Sequence, residues 1–130
     1  MMKYITFVVP CYNSESYMRR CVESLLAGGD DVEIIIVNDG STDRTGEIAE
    51  EYQSKYPTIV RAVQKENGGH GSGVNAGLSL ACGKYFKVVD SDDWVEKEAY
   101  CRVLDFLKSS CEPDLLVCNY VYNHLDEGRA

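Results

Sequence analysis

Three aspartates stand within four residues at Asp90-Ser91-Asp92-Asp93. Carboxylates this close repel one another unless a cation neutralises them. The largely apolar run Phe86-Lys87-Val88-Val89 leads straight into them, and Trp94 follows. An Asp-x-Asp at the end of a strand, aimed into a cleft, suits a divalent metal that carries a diphosphate. Hard cations take oxygen ligands and commonly share them with substrate phosphates. Asp93 has a second reading, as the cap of the following helix with Glu96 completing the pair three residues on. That leaves Asp90 and Asp92 for the chemistry.

Other polar clusters are candidates for the same site. Asn38-Asp39-Gly40-Ser41-Thr42-Asp43 is dense in turn and N-cap types. Asp39 could accept a hydrogen bond from a base N–H such as that of uracil, or serve only a turn or a cap. Tyr12 could stack on a base or simply pack. Glu15, at the expected start of a helix, either favours the dipole or reaches a nucleotide. His70 reads as a solvated loop histidine, and Trp94 as packing behind the aspartates. Asn67 to Gly73 is a glycine-rich stretch, and Gly71-x-Gly73-x-x-x-Gly77 is similar to a nicotinamide-dinucleotide fingerprint. It follows the third strand rather than the first, and lacks the acidic partner about 20 residues on. Glycines that let the backbone approach a phosphate or sugar at a helix N-terminus are the better account. A flexible turn with close packing at Gly77 is the other.

The elements that must position these clusters alternate. Near-continuous apolar runs at Tyr4 to Pro10 and Val32 to Val37 read as strands buried on both faces. Shorter strands are expected at Ile59 to Val63, Tyr85 to Val89 and Leu115 to Val121. Helical spacing joins Met18, Cys21, Val22 and Leu25, with Gly28-Gly29 as the stop. It also joins Ile48, Ala49, Tyr52 and Tyr56 before Pro57, then Val74, Gly77, Leu78 and Ala81, and finally Tyr100, Val103, Leu104 and Leu107. Strands alternating with helices predict a three-layer α/β/α domain with a mostly parallel, Rossmann-like sheet. Ligands in such sheets bind beyond the carboxyl ends of the strands. The four clusters all follow strands, so they should meet on one edge.

Composition narrows the partners. The 130 residues suit one domain, and thirteen basic against twenty-one acidic residues give a formal charge of −8. Nucleic acid and anionic membranes, which need a basic footprint, are disfavoured. The six cysteines include no C-x-x-C pair, so neither a zinc cluster nor a thioredoxin motif is indicated. No signal sequence or membrane-length apolar run is visible, and a reducing cytoplasm is the expected location.

Val8-Val9-Pro10-Cys11-Tyr12-Asn13, Val37 to Asp43, Asn67-Gly68-Gly69, Asn75-Ala76-Gly77 and Asp90-Ser91-Asp92-Asp93, in that order and spacing, resemble the family-2 glycosyltransferases of GT-A fold. The likeness runs from Lys3 to about Tyr122. It implies a nucleotide-sugar donor, usually a UDP-sugar, with Mg²⁺ or Mn²⁺ at the diphosphate. It implies inverting transfer to an acceptor hydroxyl on a saccharide, lipid-linked or protein acceptor. The candidate nucleotide-binding set is Pro10, Tyr12, Asn13, Glu15, Asp39, Gly68, Gly69, Asn75, Asp90 and Ser91, with Asp92 and Asp90 as metal contacts. The family's acidic general base lies later in a longer domain, and nothing from Trp94 to Ala130 matches it. The chain is therefore expected to be a donor-binding half, with the base beyond Ala130. Membrane association, at the inner face, would reside in other parts of the parent chain. Exposed surface on a half-domain would favour a homo-oligomer. A non-catalytic nucleotide-binding module and a nicotinamide-dependent oxidoreductase are the alternatives.

Overall fold

A computed structural model describes residues 3–109. The strand expected at Leu115 to Val121 lies outside them. Four strands form one sheet: β1 (Ile5–Cys11), β2 (Val32–Asp39), β3 (Val60–Lys65) and β4 (Tyr85–Val88). Their order is β3-β2-β1-β4, and every pairing is parallel. Between them run α1 (Met18–Leu25), α2 (Thr45–Lys55) and α3 (His70–Leu80), and α4 (Lys97–Ser109) follows β4.

The apolar runs at β1 and β2 are buried along their whole length, because helices cover both faces of the central strands. Ile5, Phe7, Val9 and Cys11 of β1, with Ile34 and Ile36 of β2, face α1, α2 and α4. Phe7 meets Tyr100 edge to face, ring centroids 5.5 Å apart, a favoured aromatic geometry. Val8, Ile35 and Val37 point the other way and form a smaller cluster with Ala76 of α3. The expected three-layer arrangement is therefore present.

Several boundaries differ from the sequence reading. Cys11 and Asp39 end strands rather than opening loops. Helix α1 ends at Leu25, before the glycine pair expected to stop it; Leu26–Asp31 form a 3₁₀ segment in which Gly29 takes φ +60° and turns the chain. Helix α3 begins at His70, so Gly71, Ser72 and Gly73 are helical rather than loop. Its inward face is Gly73 and Gly77, while Leu78 is 48% exposed, against expectation. Small residues win that face because the helix lies very close to the sheet: a Cβ on Gly77 would fall on Val8 Cγ1. Asp93 does not cap α4, which starts four residues later. Glu96 does so, its carboxylate accepting the amides of Glu98 (2.6 Å) and Ala99 (3.2 Å).

Strand order reverses direction at β1. The chain steps outward from β1 to β2 to β3, then returns to the other side of β1 for β4. In open parallel sheets that reversal leaves a crevice beyond the carboxyl ends of the two flanking strands. Here it lies between the ends of β1 and β4.

Candidate functional site

The loops after β1, β2, β3 and β4 are bonded to one another at that edge. Asn13 has φ +49°, a left-handed conformation that asparagine tolerates better than most residues. Its side chain accepts the amide of Thr42 at 2.8 Å, and its own amide donates to Ser41 Oγ at 2.9 Å. The fully buried Ser14 donates its amide to Thr45 Oγ1 at 2.7 Å. Its hydroxyl lies 2.8 Å from that of Ser91. The first loop is thereby tied to both the β2 loop and the aspartate turn.

Asp39, at the end of β2, is 5% exposed. Oδ1 accepts Lys65 Nζ at 2.9 Å and the amide of Gly68 at 2.8 Å, and Oδ2 accepts the amide of Gly69 at 2.9 Å. Lys65 is opposite Asp39 in the β2–β3 register, so both strand ends deliver their charges to one spot. The Lys65 hydrogen bond, opposed by burial and helped by the two glycine amides, holds the Asp39 carboxyl below its usual range. Asp39 thus fills neither an Asx-turn nor a cap; it fixes the glycine loop. Its carboxylate offers about four lone-pair positions. Three are used here, which leaves one acceptor position on a residue that lines a pocket with Pro10, Cys11, Tyr12, Gly69 and His70.

Tyr12 is 52% exposed at that pocket, an available stacking surface. Cys11 is buried, and desolvation pushes its thiol up to about 12, so it is a neutral wall. The aspartates turn beside the pocket. The amide of Asp93 donates to the carbonyl of Asp90 at 3.0 Å, closing a tight turn. Asp90, Asp92 and Asp93 each offer an oxygen, all within 4.8 Å of one another. Asp90 and Asp92 are exposed and Asp93 is buried. Three hard oxygen donors in one turn fit Mg²⁺ or Mn²⁺, which prefer carboxylates and keep open positions for water or phosphate oxygens.

Of the sequence-derived candidates, Pro10, Tyr12, Asp39 and Gly69 line the pocket together, and Gly68 is bound to Asp39 beside it. Asn13 is exposed, with its side chain holding the β2 loop. Ser91 is buried against Ser14. Glu15 lies three residues before α1 rather than in its first turn, and its amide donates to Asp43 at 3.2 Å. Asn75 is exposed along α3. His70 is no mere solvated loop residue: it opens α3 and its Nε2 lies 3.2 Å from Asp90 Oδ1. Trp94 does pack as expected, with the Arg20 guanidinium 3.4 Å over its ring. Ser14, Lys65 and Asp93 are contributors that sequence reasoning missed. Lys65 carried a usable signal, a cation at the end of a strand next to one ending in aspartate, and Asp93 stood in the aspartate cluster but was read as a cap.

A parallel sheet with a carboxylate turn beside a pocket at the carboxyl edge of its strands places the chain among the open α/β folds that bind ligands at that edge. Within that class, residues 6–128 match Glycosyl transferase family 2, and the chain belongs to that family. It is 40% identical over 126 residues to the putative glycosyltransferase EpsH of Bacillus subtilis, covering 96% of this chain and 36% of that protein. The chain thus spans about a third of that relative's length. Among solved structures, S. aureus TarS 1-349 in complex with UDP matches with a TM-score of 0.69 and 33% identity, over 81% of this chain and 32% of that 1-349 chain. The mannosyltransferase PcManGT of Pyrobaculum calidifontis, solved with GDP-Man and Mn²⁺, matches at TM-score 0.71 and 20% identity, over 87% of this chain and 34% of that one, a likeness of fold. Family membership displaces the oxidoreductase alternative. No helix among the described residues is long and apolar enough to cross a membrane.

Proposed function

We propose that this chain binds the nucleotide-sugar donor of an inverting glycosyltransferase, with a UDP-sugar as donor and a divalent cation at the aspartate turn. The observation that carries this is the convergence of Asp90, Asp92 and Asp93, with oxygens within 4.8 Å of one another, beside a pocket walled by Tyr12 and Asp39. The UDP bound by TarS, a relative in fold and sequence, supports uracil as the base.

In this reading Tyr12 stacks on the base, and the last acceptor position of Asp39 takes the imide N–H of uracil. A base presenting a lone pair there would face a carboxylate and be rejected. Gly68 and Gly69 keep the neighbouring backbone thin enough for the ribose and phosphates to pass. Asp92 and Asp90 hold the cation, with Asp93 closing the turn behind them. A divalent ion bound there would supply charge neutralisation to the departing nucleoside diphosphate. Donor binding, not base catalysis, is what the described residues provide. The acceptor hydroxyl, on a saccharide, lipid carrier or protein, would be activated elsewhere in the parent enzyme.

Calorimetry with UDP tests this directly. UDP should bind in the presence of Mn²⁺ or Mg²⁺, and Asp92→Ala, compared at a temperature where circular dichroism shows it folded, should weaken that binding at least tenfold. UDP affinity indifferent to both metal and Asp92, or metal-free binding of NADPH, would refute it.

A further inference from the structure

We propose that His70 is a positioning residue for the cation: it holds the Asp90 carboxylate in the orientation that lets the three aspartates converge. This rests on the reading of that turn as a cation site. The residue is delivered with unusual firmness. Gly69 takes φ +91°, a conformation that favours glycine, and turns the chain from β3 into α3. The amides of Gly68 and Gly69 are both fixed on Asp39. The first helical bond, from the Gly73 amide to the Gly69 carbonyl at 3.1 Å, follows at once. The backbone on either side of His70 is thereby anchored. Its ring crosses from the β3 loop to the β4 loop, where Nε2 lies 3.2 Å from Asp90 Oδ1. A carboxylate oxygen accepts, so Nε2 donates. Asp90 is anchored in turn through its carbonyl, which accepts the Asp93 amide at 3.0 Å. What the main chain leaves free is the rotation of the Asp90 carboxylate, and the imidazole restrains it.

Magnitudes separate this role from a structural one. His70 and Asp90 side chains are 64% and 52% exposed, and an exposed pair adds little to folding. Partners that orient a metal-binding group, by contrast, typically change metal affinity by about 10–100-fold. The pair should therefore matter to the ion and not to the fold.

The test uses the 130-residue chain and Mn²⁺ alone, with affinity read by water-proton relaxation or calorimetry. His70→Ala should weaken Mn²⁺ binding about tenfold. His70→Gln, whose amide nitrogen can occupy the place of Nε2, should recover most of it. The metal-free melting temperature should be the same in all three proteins. Mn²⁺ affinity in His70→Ala within twofold of wild type would overturn the inference and leave the donor-binding reading intact. Parallel losses of affinity and metal-free stability, unrescued by Gln, would overturn it in favour of a folding role. Wild-type protein that binds no Mn²⁺ would overturn the cation site itself, and this inference with it.

Discussion

Replacing Asp39 by Asn tests the electrostatic anchor of the site with least change of shape. The carboxylate is 7% exposed and its partner Lys65 21%. Three donors converge on it: Lys65 Nζ at 2.9 Å, Gly68 N at 2.8 Å and Gly69 N at 2.9 Å. Hydrogen bonds to a charged group are worth about 1.5–3 kcal/mol each, and losing one partner of a buried pair costs about 3–5 kcal/mol. Lys65 keeps some relief, since it also donates to the Glu66 carbonyl at 2.6 Å, and water can reach the exposed glycine amides. The lower end applies, about 3 kcal/mol. For a domain of this size that is a fall of roughly 10 °C in melting temperature. The sign of the pH dependence follows from the lowered carboxyl of Asp39. Its folded pKa lies below the ordinary 3.8, so its contribution is present above that value and lost as pH falls through the folded pKa. The gap between wild type and Asp39→Asn should thus be full at pH 6 and close as pH drops below about 4. Thermal unfolding followed by circular dichroism over that range measures both. A variant within about 1 kcal/mol of wild type at pH 6, or a gap that does not vary with pH, would refute the anchor.

Two further outcomes follow from packing and burial. Gly77→Ala gains helix propensity of about 1 kcal/mol, yet its Cβ would fall on Val8 Cγ1; overpacking at about 1–3 kcal/mol should win, seen as a lower urea midpoint with an unchanged m-value. Cys82 is exposed whereas Cys11 and Cys21 are buried, and burial holds the Cys11 thiol up at about 12. Iodoacetamide at pH 8 with peptide mapping should mark Cys82 long before Cys11 or Cys21, and comparable rates would contradict the packed first strand.

What the sequence made legible is what its local periodicity encodes. The run Val32-Glu33-Ile34-Ile35-Ile36-Val37, short and rich in β-branched residues, reads as a strand buried on both faces, and it is buried throughout. Glu33 survives in it because Thr6 Oγ1 and the Cys82 amide, both at 2.8 Å, satisfy its carboxylate, and neither partner is near in sequence. Helix α3 is present as expected, but its start is misread for the opposite reason. Gly71, Gly73 and Gly77 are poor helix formers, and tertiary contact decides: the sheet accepts no larger side chain at Gly77. The same helix leaves Leu78 48% exposed, though its apolarity argued for the core.

The site divides along the same line. A parallel sheet sends every strand's carboxyl end to one edge, so the meeting of Tyr12, Asp39 and Asp90 follows from topology alone, whatever the loops do in detail. Their bonding partners do not follow. Ser14 with Ser91 and Asp39 with Lys65 join residues 77 and 26 positions apart; the charges at two neighbouring strand ends hint at the second pair, and nothing in a single sequence marks the first. Asp93 shows how a local rule can mislead. Asp-x-x-Glu before an apolar run is a valid capping signature, but the turn that closes from Asp93 to Asp90 delays the helix, and the cap passes to Glu96. The same turn keeps Asp93 beside Asp90 and Asp92, an oxygen of each within 4.8 Å of the others, so the stretch that defeats the capping rule is also the one that holds the carboxylate cluster.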